Sequence, residues 1–183
     1  MNKFFIIIVF ILALNLCGVL NVFADEQKPG EYQIKAAYLY NFINFIEWPI
    51  DSPNNNSPSI NLCILGDDPF GKDLDDIRNE IVKGKKLTVK YPCSLDKLRS
   101  CNILFIPASE KNHVGQILKL IGNSRVLTVS DVEESARQGV IISFFVEHKK
   151  VRFAINIEAA RRAGIKFSAK LLKLAKIVNV SKD

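Results

Sequence analysis

The chain has 183 residues, 48% hydrophobic and 24% charged, and its 25 Lys and Arg outnumber its 19 Asp and Glu for a net charge of +6. That composition is ordinary for one globular domain and excludes a disordered or collagen-like chain. Four cysteines are too few for a disulfide-dense scaffold, and the mild basic excess permits an acidic partner without specifying one.

The first segment is Met1-Asn2-Lys3, then Phe4 to Leu14 without a polar residue, then Val22-Phe23-Ala24. One positive charge, an apolar run and small residues before a cut describe a secretory signal peptide over residues 1–24, cleaved before Asp25. An uncleaved anchor is disfavoured by Asn15, and a lipoprotein by Leu16, which stands before Cys17 where a small residue is needed. The chain is therefore expected in the periplasm, with one domain over residues 25–183. Outside the cytoplasm there is neither an ATP pool nor a genome, so nucleotide-driven and nucleic-acid-binding roles are set aside.

Along that domain, Glu31 to Trp48 reads as a helix stopped by Pro49. Residues 51–59 are a loop by composition. Ile60–Leu65 is a strand, Phe70–Val82 a helix ending at Gly84, Leu87–Tyr91 a strand and Ser94–Arg99 a short helix. Ile103–Ile106 is a strand, Val114–Ile121 a helix, Val126–Val129 a strand and Asp131–Arg137 a helix capped by Ser130 or Asp131. Val140–Glu147 and Val151–Asn156 flank a polar turn and read as a hairpin. Glu158–Ala163 and Ser168–Val178 close the chain as helices. The alternation predicts an α/β fold: a mostly parallel open sheet flanked by helices on both faces, with the C-terminal antiparallel hairpin at its edge.

Gly66-Asp67-Asp68-Pro69-Phe70-Gly71-Lys72-Asp73 has the spacing of a phosphate loop, but its chemistry opposes that role. Asp67 and Asp68 repel phosphate, Pro69 removes a donor, and Asp73 stands where Ser or Thr would bind magnesium. The bland reading is a turn with Asp68 as a cap. That sheet edge is still where open α/β sheets hold ligands, so a small-molecule receptor using Gly66–Phe70 is the alternative function.

Neither His113 nor His148 has a recognisable partner, no nucleophile elbow occurs, and the adjacent Asp pairs read as solvated surface charge. The expectation is a non-enzyme without cofactor. Cys63, Cys93 and Cys101 lack the close spacing of a metal site, so none is expected. Export favours a disulfide. Cys93 just after one strand and Cys101 just before the next parallel one are placed at opposite sheet edges, on the order of 15 Å apart. Bridged Cα atoms must lie within about 7 Å. Cys63 lies beside Cys101 if their strands are neighbours, so Cys63–Cys101 is the expected pair. Cys93 is then left buried or free to pair between chains.

Two stretches carry interface readings. Leu171 to Val178, interleaved with Lys170, Lys173 and Lys176, reads as an amphipathic helix with a solvated basic face, or as a contact with acidic protein or lipid. Tyr38, Phe42 and Trp48 belong to an aromatic-rich first helix that is either central core or a partner contact. Arg152 and Asn156 share one side of the last strand and serve either a contact or a cap.

Lys35-Ala36-Ala37-Tyr38-Leu39-Tyr40-Asn41-Phe42 with Phe45-Ile46-Glu47-Trp48-Pro49 resembles the opening signature of the YfiR-like periplasmic proteins. Residues 63–71, 101–106, 126–131, 152–156 and 168–175 continue the resemblance in order, from about Tyr32 to Val178. It implies a parallel α/β sheet, commonly in a homodimer. It also implies a regulator that binds the periplasmic sensor domain of an inner-membrane diguanylate cyclase and restrains it, with an outer-membrane lipoprotein as a further partner. Cyclic di-GMP signalling and biofilm control would follow. Cys63 and Cys101 match one disulfide of the best-known member. A second pair has no counterpart, because no Cys follows Cys101. Candidate partner or ligand contact residues, read from the sequence itself, are Tyr38, Phe42, Trp48, Asp68, Phe70, Arg152 and Asn156.

Overall fold

The computed structural model describes residues 30–50, 52 and 56–179. The expected signal peptide and its cut lie outside them. Helix α1 (Glu31–Phe45) leads into a short strand β1 (Ile46–Glu47), so the expected first helix ends three residues early. β2 (Ser59–Leu65) follows, then a 3₁₀ turn at Gly71–Leu74, β3 (Ile81–Val82) and β4 (Lys85–Cys93). A 3₁₀ helix at Leu95–Ser100 precedes β5 (Ile103–Ile106), and α2 (Val114–Ile121) precedes β6 (Leu127–Ser130). α3 (Ser135–Gln138), β7 (Ile142–Glu147), β8 (Lys150–Asn156) and α4 (Ile157–Arg162) come next. β9 (Lys166–Phe167), α5 (Ala169–Leu174) and β10 (Lys176–Val178) end the described chain.

Eight strands form one sheet in the order β10-β8-β7-β6-β5-β2-β4-β3, and β1 pairs with β9 separately. The central strands β4, β2, β5, β6 and β7 are parallel, which confirms the α/β class. Apolar side chains alternate between two buried faces. One face carries Leu62, Ile64, Phe105, Val129, Phe144 and Phe153 under α1. The other carries Cys63, Leu65, Leu104 and Ile106 under α2.

Three sequence expectations give way. The Phe70–Val82 helix does not form beyond Leu74, because Asn79 takes φ 70° and breaks the turn. Lys83 and Gly84, at φ 53° and 73°, make a two-residue hairpin loop that turns β3 back onto β4. The last helix stops at Leu174. Ile177 and Val178 are β-branched and pair in parallel with Ile155 and Asn156 instead, so the long amphipathic basic helix does not exist. The β7–β8 hairpin is present, its loop made by His148 and Lys149 at φ 49° and 60°, but β10 lies outside it and forms the edge.

Asn156 ties several elements together. Its Oδ1 accepts from Ala159 N–H at 2.8 Å, capping α4, and its Nδ2 donates to Ala136 O at 2.7 Å in α3. Asn156→Ala is expected to lower stability by about 2 kcal/mol, from a lost N-cap plus an unpaired buried carbonyl. In urea the midpoint should fall with an unchanged slope.

Candidate functional site at the carboxyl edge of the sheet

β2, β5 and β6 run in register and end together at Leu65, Ile106 and Ser130. The residues just beyond these ends form the edge where open parallel sheets commonly hold ligands. Here the protein fills that edge itself. Gly66 has φ 62°, and a Cβ there would sit 2.4 Å from Glu110 Oε1. The left-handed φ favours glycine here, and the Glu110 carboxylate lies beside it where a phosphate loop would need open N–H groups. Asp68 Oδ1 accepts from Phe70 N–H at 2.9 Å, so Asp68 organises this turn. Glu110 also meets His113 Nδ1 at 2.9 Å.

The first turn of α1 closes the edge from above. Tyr32 packs edge-on against Phe70 at 5.3 Å, and Phe70 against Phe105 at 4.7 Å. Lys35 Nζ lies 2.8 Å from Asp131 Oδ2 and 2.6 Å from Glu31 Oε1, and Tyr32 donates its hydroxyl to the same Asp131 oxygen at 2.9 Å. The ammonium also stands 4.2 Å from the Tyr32 ring centre. The Lys35 and Asp131 side chains are 4% and 5% exposed, so this is a buried ion pair. Asp131 Oδ1 is buried without a hydrogen-bond partner. Burial pushes the Tyr32 hydroxyl pKa up, and its bond to Asp131 adds to that. For Lys35, burial alone would lower the pKa, but the bonds to Asp131 and Glu31 outweigh it and raise it. Neither Ser130 nor Asp131 caps α3, which starts only at Ser135 with Glu134 at its N-cap and no side-chain cap bond. Ser130 Oγ accepts from Val132 N–H at 3.0 Å in the turn before it.

On the opposite face of the sheet, Cys63 and Cys101 form a disulfide with Cα atoms 6.0 Å apart. The expected pair is the one observed, but Cys93 is not remote from it. Cys93 Sγ lies 3.9 Å from Cys101 Sγ, not across the sheet. The 3₁₀ helix Leu95–Ser100 returns the chain to Cys93's neighbourhood before β5 begins. The β2–β4 register also shifts, with Cys63 opposite Lys90 and Leu65 opposite Cys93, which turns Cys93 onto the face of Cys63. The three sulfurs lie within 4.8 Å of one another. Burial raises the Cys93 thiol pKa, while Lys90 and Lys97 pull it the other way. The fold thus gathers three cysteines whose sequence spacing showed no cluster.

The seven candidate contact residues divide by burial. Phe42, Phe70 and Asn156 are buried, and Tyr38 packs on Phe144 and Phe153 at 5.9 and 5.3 Å. The aromatic first helix is mainly core. Trp48 and Asp68 are half-buried, and Arg152 is exposed. Arg152 stands opposite Phe145 across the β7–β8 ladder, and Lys176 lies 5.6 Å from the Phe145 ring centre. Lys35 and Asp131 were missed as a pair. The available signal was a lysine on the Tyr32, Lys35, Leu39, Phe42 stripe that α1 turns inward.

The fold defines an open, mostly parallel α/β domain whose carboxyl edge is lined by Glu110 and the first turn of α1. The YfiR/HmsC-like family description matches residues 32–176, and the chain belongs to that family. Its members are periplasmic regulators, which supports regulation of a diguanylate cyclase in general terms. A conserved domain protein from Vibrio cholerae O1 biovar El Tor strain N16961 shares the fold at a TM-score of 0.50 and 10% identity. The match covers 80% of this chain and spans 60% of that one. Among the described residues, no helix is long and apolar enough to cross a membrane.

Two predictions follow from the buried pair. Lys35→Met should cost about 3–5 kcal/mol, because it leaves the Asp131 carboxylate buried without its cation. Lys35→Met/Asp131→Leu should recover more than half of that loss in urea titrations; a double variant as unstable as the single one would contradict the pairing. The second concerns alkali. Tyr32 and Lys35 both hold their protons more tightly when folded, so their stabilisation is full below the ordinary values of 10.0 and 10.5 and is lost as pH rises through the folded values. The melting temperature should stay level from about pH 7 to pH 9 and then fall, less steeply in the Lys35→Met/Asp131→Leu variant.

Proposed function

We propose that this protein is exported to the periplasm, where it binds the sensor domain of an inner-membrane diguanylate cyclase and holds that enzyme inactive. The observation that carries the reading is membership of the YfiR/HmsC-like family across residues 32–176. Restraint then works by differential affinity: the regulator binds the inactive sensor conformation more tightly and shifts its population. Two copies of the chain and an outer-membrane lipoprotein complete the proposed assembly.

The contact is centred on Arg152. It is the one exposed member of the expected contact set, and exposed Lys176 and half-buried Phe145 stand beside it on β10 and β7. An aromatic ring flanked by two cations suits an acidic partner surface, in line with the basic excess of the chain. Tagged protein cross-linked in its own cells should enrich an inner-membrane protein with a cyclase output domain. Arg152→Glu should reduce that enrichment at least about tenfold, the loss of a contact worth 1.4 kcal/mol or more, with folding unchanged by circular dichroism. Enrichment of no membrane protein at normal expression would overturn the function. Enrichment unaffected by Arg152→Glu would overturn the surface alone.

A further inference from the structure

We propose that Cys63, Cys93 and Cys101, once the disulfide is reduced, form a trigonal thiolate site for one soft monovalent cation, Cu(I). The three residues come from β2, from the end of β4 and from the residue after the Leu95–Ser100 helix, so the site would join three separately positioned segments. All three are buried, and Cys93 is the most open at 9% exposure. Around a metal with bonds near 2.3 Å, trigonal sulfur ligands stand about 4.0 Å apart. Cys93 and Cys101 already stand 3.9 Å apart, with Cys63 inside the same 4.8 Å triangle. Two of the three edges therefore involve a residue that takes no part in the disulfide.

The donor set selects the metal. Thiolates are soft ligands and favour Cu(I) over hard cations. Structural zinc takes four ligands, and among the described residues no His, Asp or Glu joins the three sulfurs. Three thiolates around one Cu(I) carry two net negative charges. The reductive step balances with a phosphine: two electrons and two protons convert the Cys63–Cys101 bond into two thiols, and the phosphine leaves as its oxide with the oxygen of water. Each thiol that then binds copper gives its proton to solvent. The metal would restore the tie between β2 and the approach to β5 that reduction had opened.

The test uses the mature chain, reduced with a phosphine, desalted under argon and titrated with Cu(I) held in a bathocuproine-type chelator. The expected result is one Cu(I) per chain, protection of all three thiols from alkylation by mass spectrometry, and a higher melting temperature than the metal-free reduced chain. Cys93→Ser keeps a small polar side chain at that position, and should bind Cu(I) at least tenfold more weakly while its circular dichroism spectrum stays unchanged. Parent-like affinity in Cys93→Ser overturns the proposal, as does a reduced parent that leaves all copper with the chelator. A reduced chain that has lost its melting transition and does not regain it with Cu(I) overturns it as well.

Discussion

A lysine ammonium and an aspartate carboxylate, both removed from water, face each other at 2.8 Å between the first helix and the carboxyl edge of the sheet. Neither group tolerates that position alone, since an unpaired buried charge costs several kcal/mol. The pair therefore fixes where α1 sits. Once Lys35 is docked on Asp131, Tyr32 lies over Phe70, and the next turns lay Leu39, Phe42 and Ile43 along the sheet face carrying Phe144 and Phe153. One ion pair thus sets the register of a helix whose apolar surface alone would accept several. The unpartnered Asp131 Oδ1 marks the cost of that specificity.

The same docking covers part of the carboxyl edge of the sheet. In a ligand-binding α/β sheet, the loops beyond the strand ends leave backbone N–H groups facing solvent. Here Glu110 occupies the space under Gly66, and the first turn of α1 covers Phe70. Toward the other sheet edge, Arg152 stands opposite Phe145 and Lys176 lies 5.6 Å from the ring centre of Phe145.

The central strands were legible in the sequence because strands buried on both faces read as short apolar runs: Ile60–Leu65, Ile103–Ile106 and Val126–Val129 need no tertiary knowledge. Three other features were not legible, each for a physical reason. The Phe70–Val82 run has enough apolar spacing for a helix, and only the left-handed conformation of Asn79 and the Lys83-Gly84 loop settles it as a hairpin. Ile177 and Val178 fit either an amphipathic helix or a strand, and the open side of β8 decides. Lys35 was visible as a residue but not as a partner, because Asp131 is 96 positions away. Aromatic density on α1 was equally silent: a ring stacked on Phe144 and a ring offered to a partner have the same letter in the sequence.

The cysteines show how a correct pairing can rest on a wrong distance. Strand rise alone puts Cys93 and Cys101 at opposite edges of a parallel sheet, and that inference assumes the connection between them stays in the plane. It does not. The Leu95–Ser100 helix climbs over the face, and the register shift in β4 turns Cys93 toward the same side. Local sequence determines both devices, yet their effect is a meeting of three sulfurs from three segments, which no spacing rule for clustered ligands detects. Disulfide choice is then settled by packing rather than by reach. Cys63 lies inside β2 opposite Leu104 with 1% exposure, while Cys93 is 9% exposed. Bonding the two deepest sulfurs ties the sheet centre to the approach of β5 across 38 residues, where a Cys93–Cys101 bond would close a loop of only eight. In the chain-entropy model the longer loop removes more freedom from the unfolded chain, so the observed pair is also the one that stabilises the fold more.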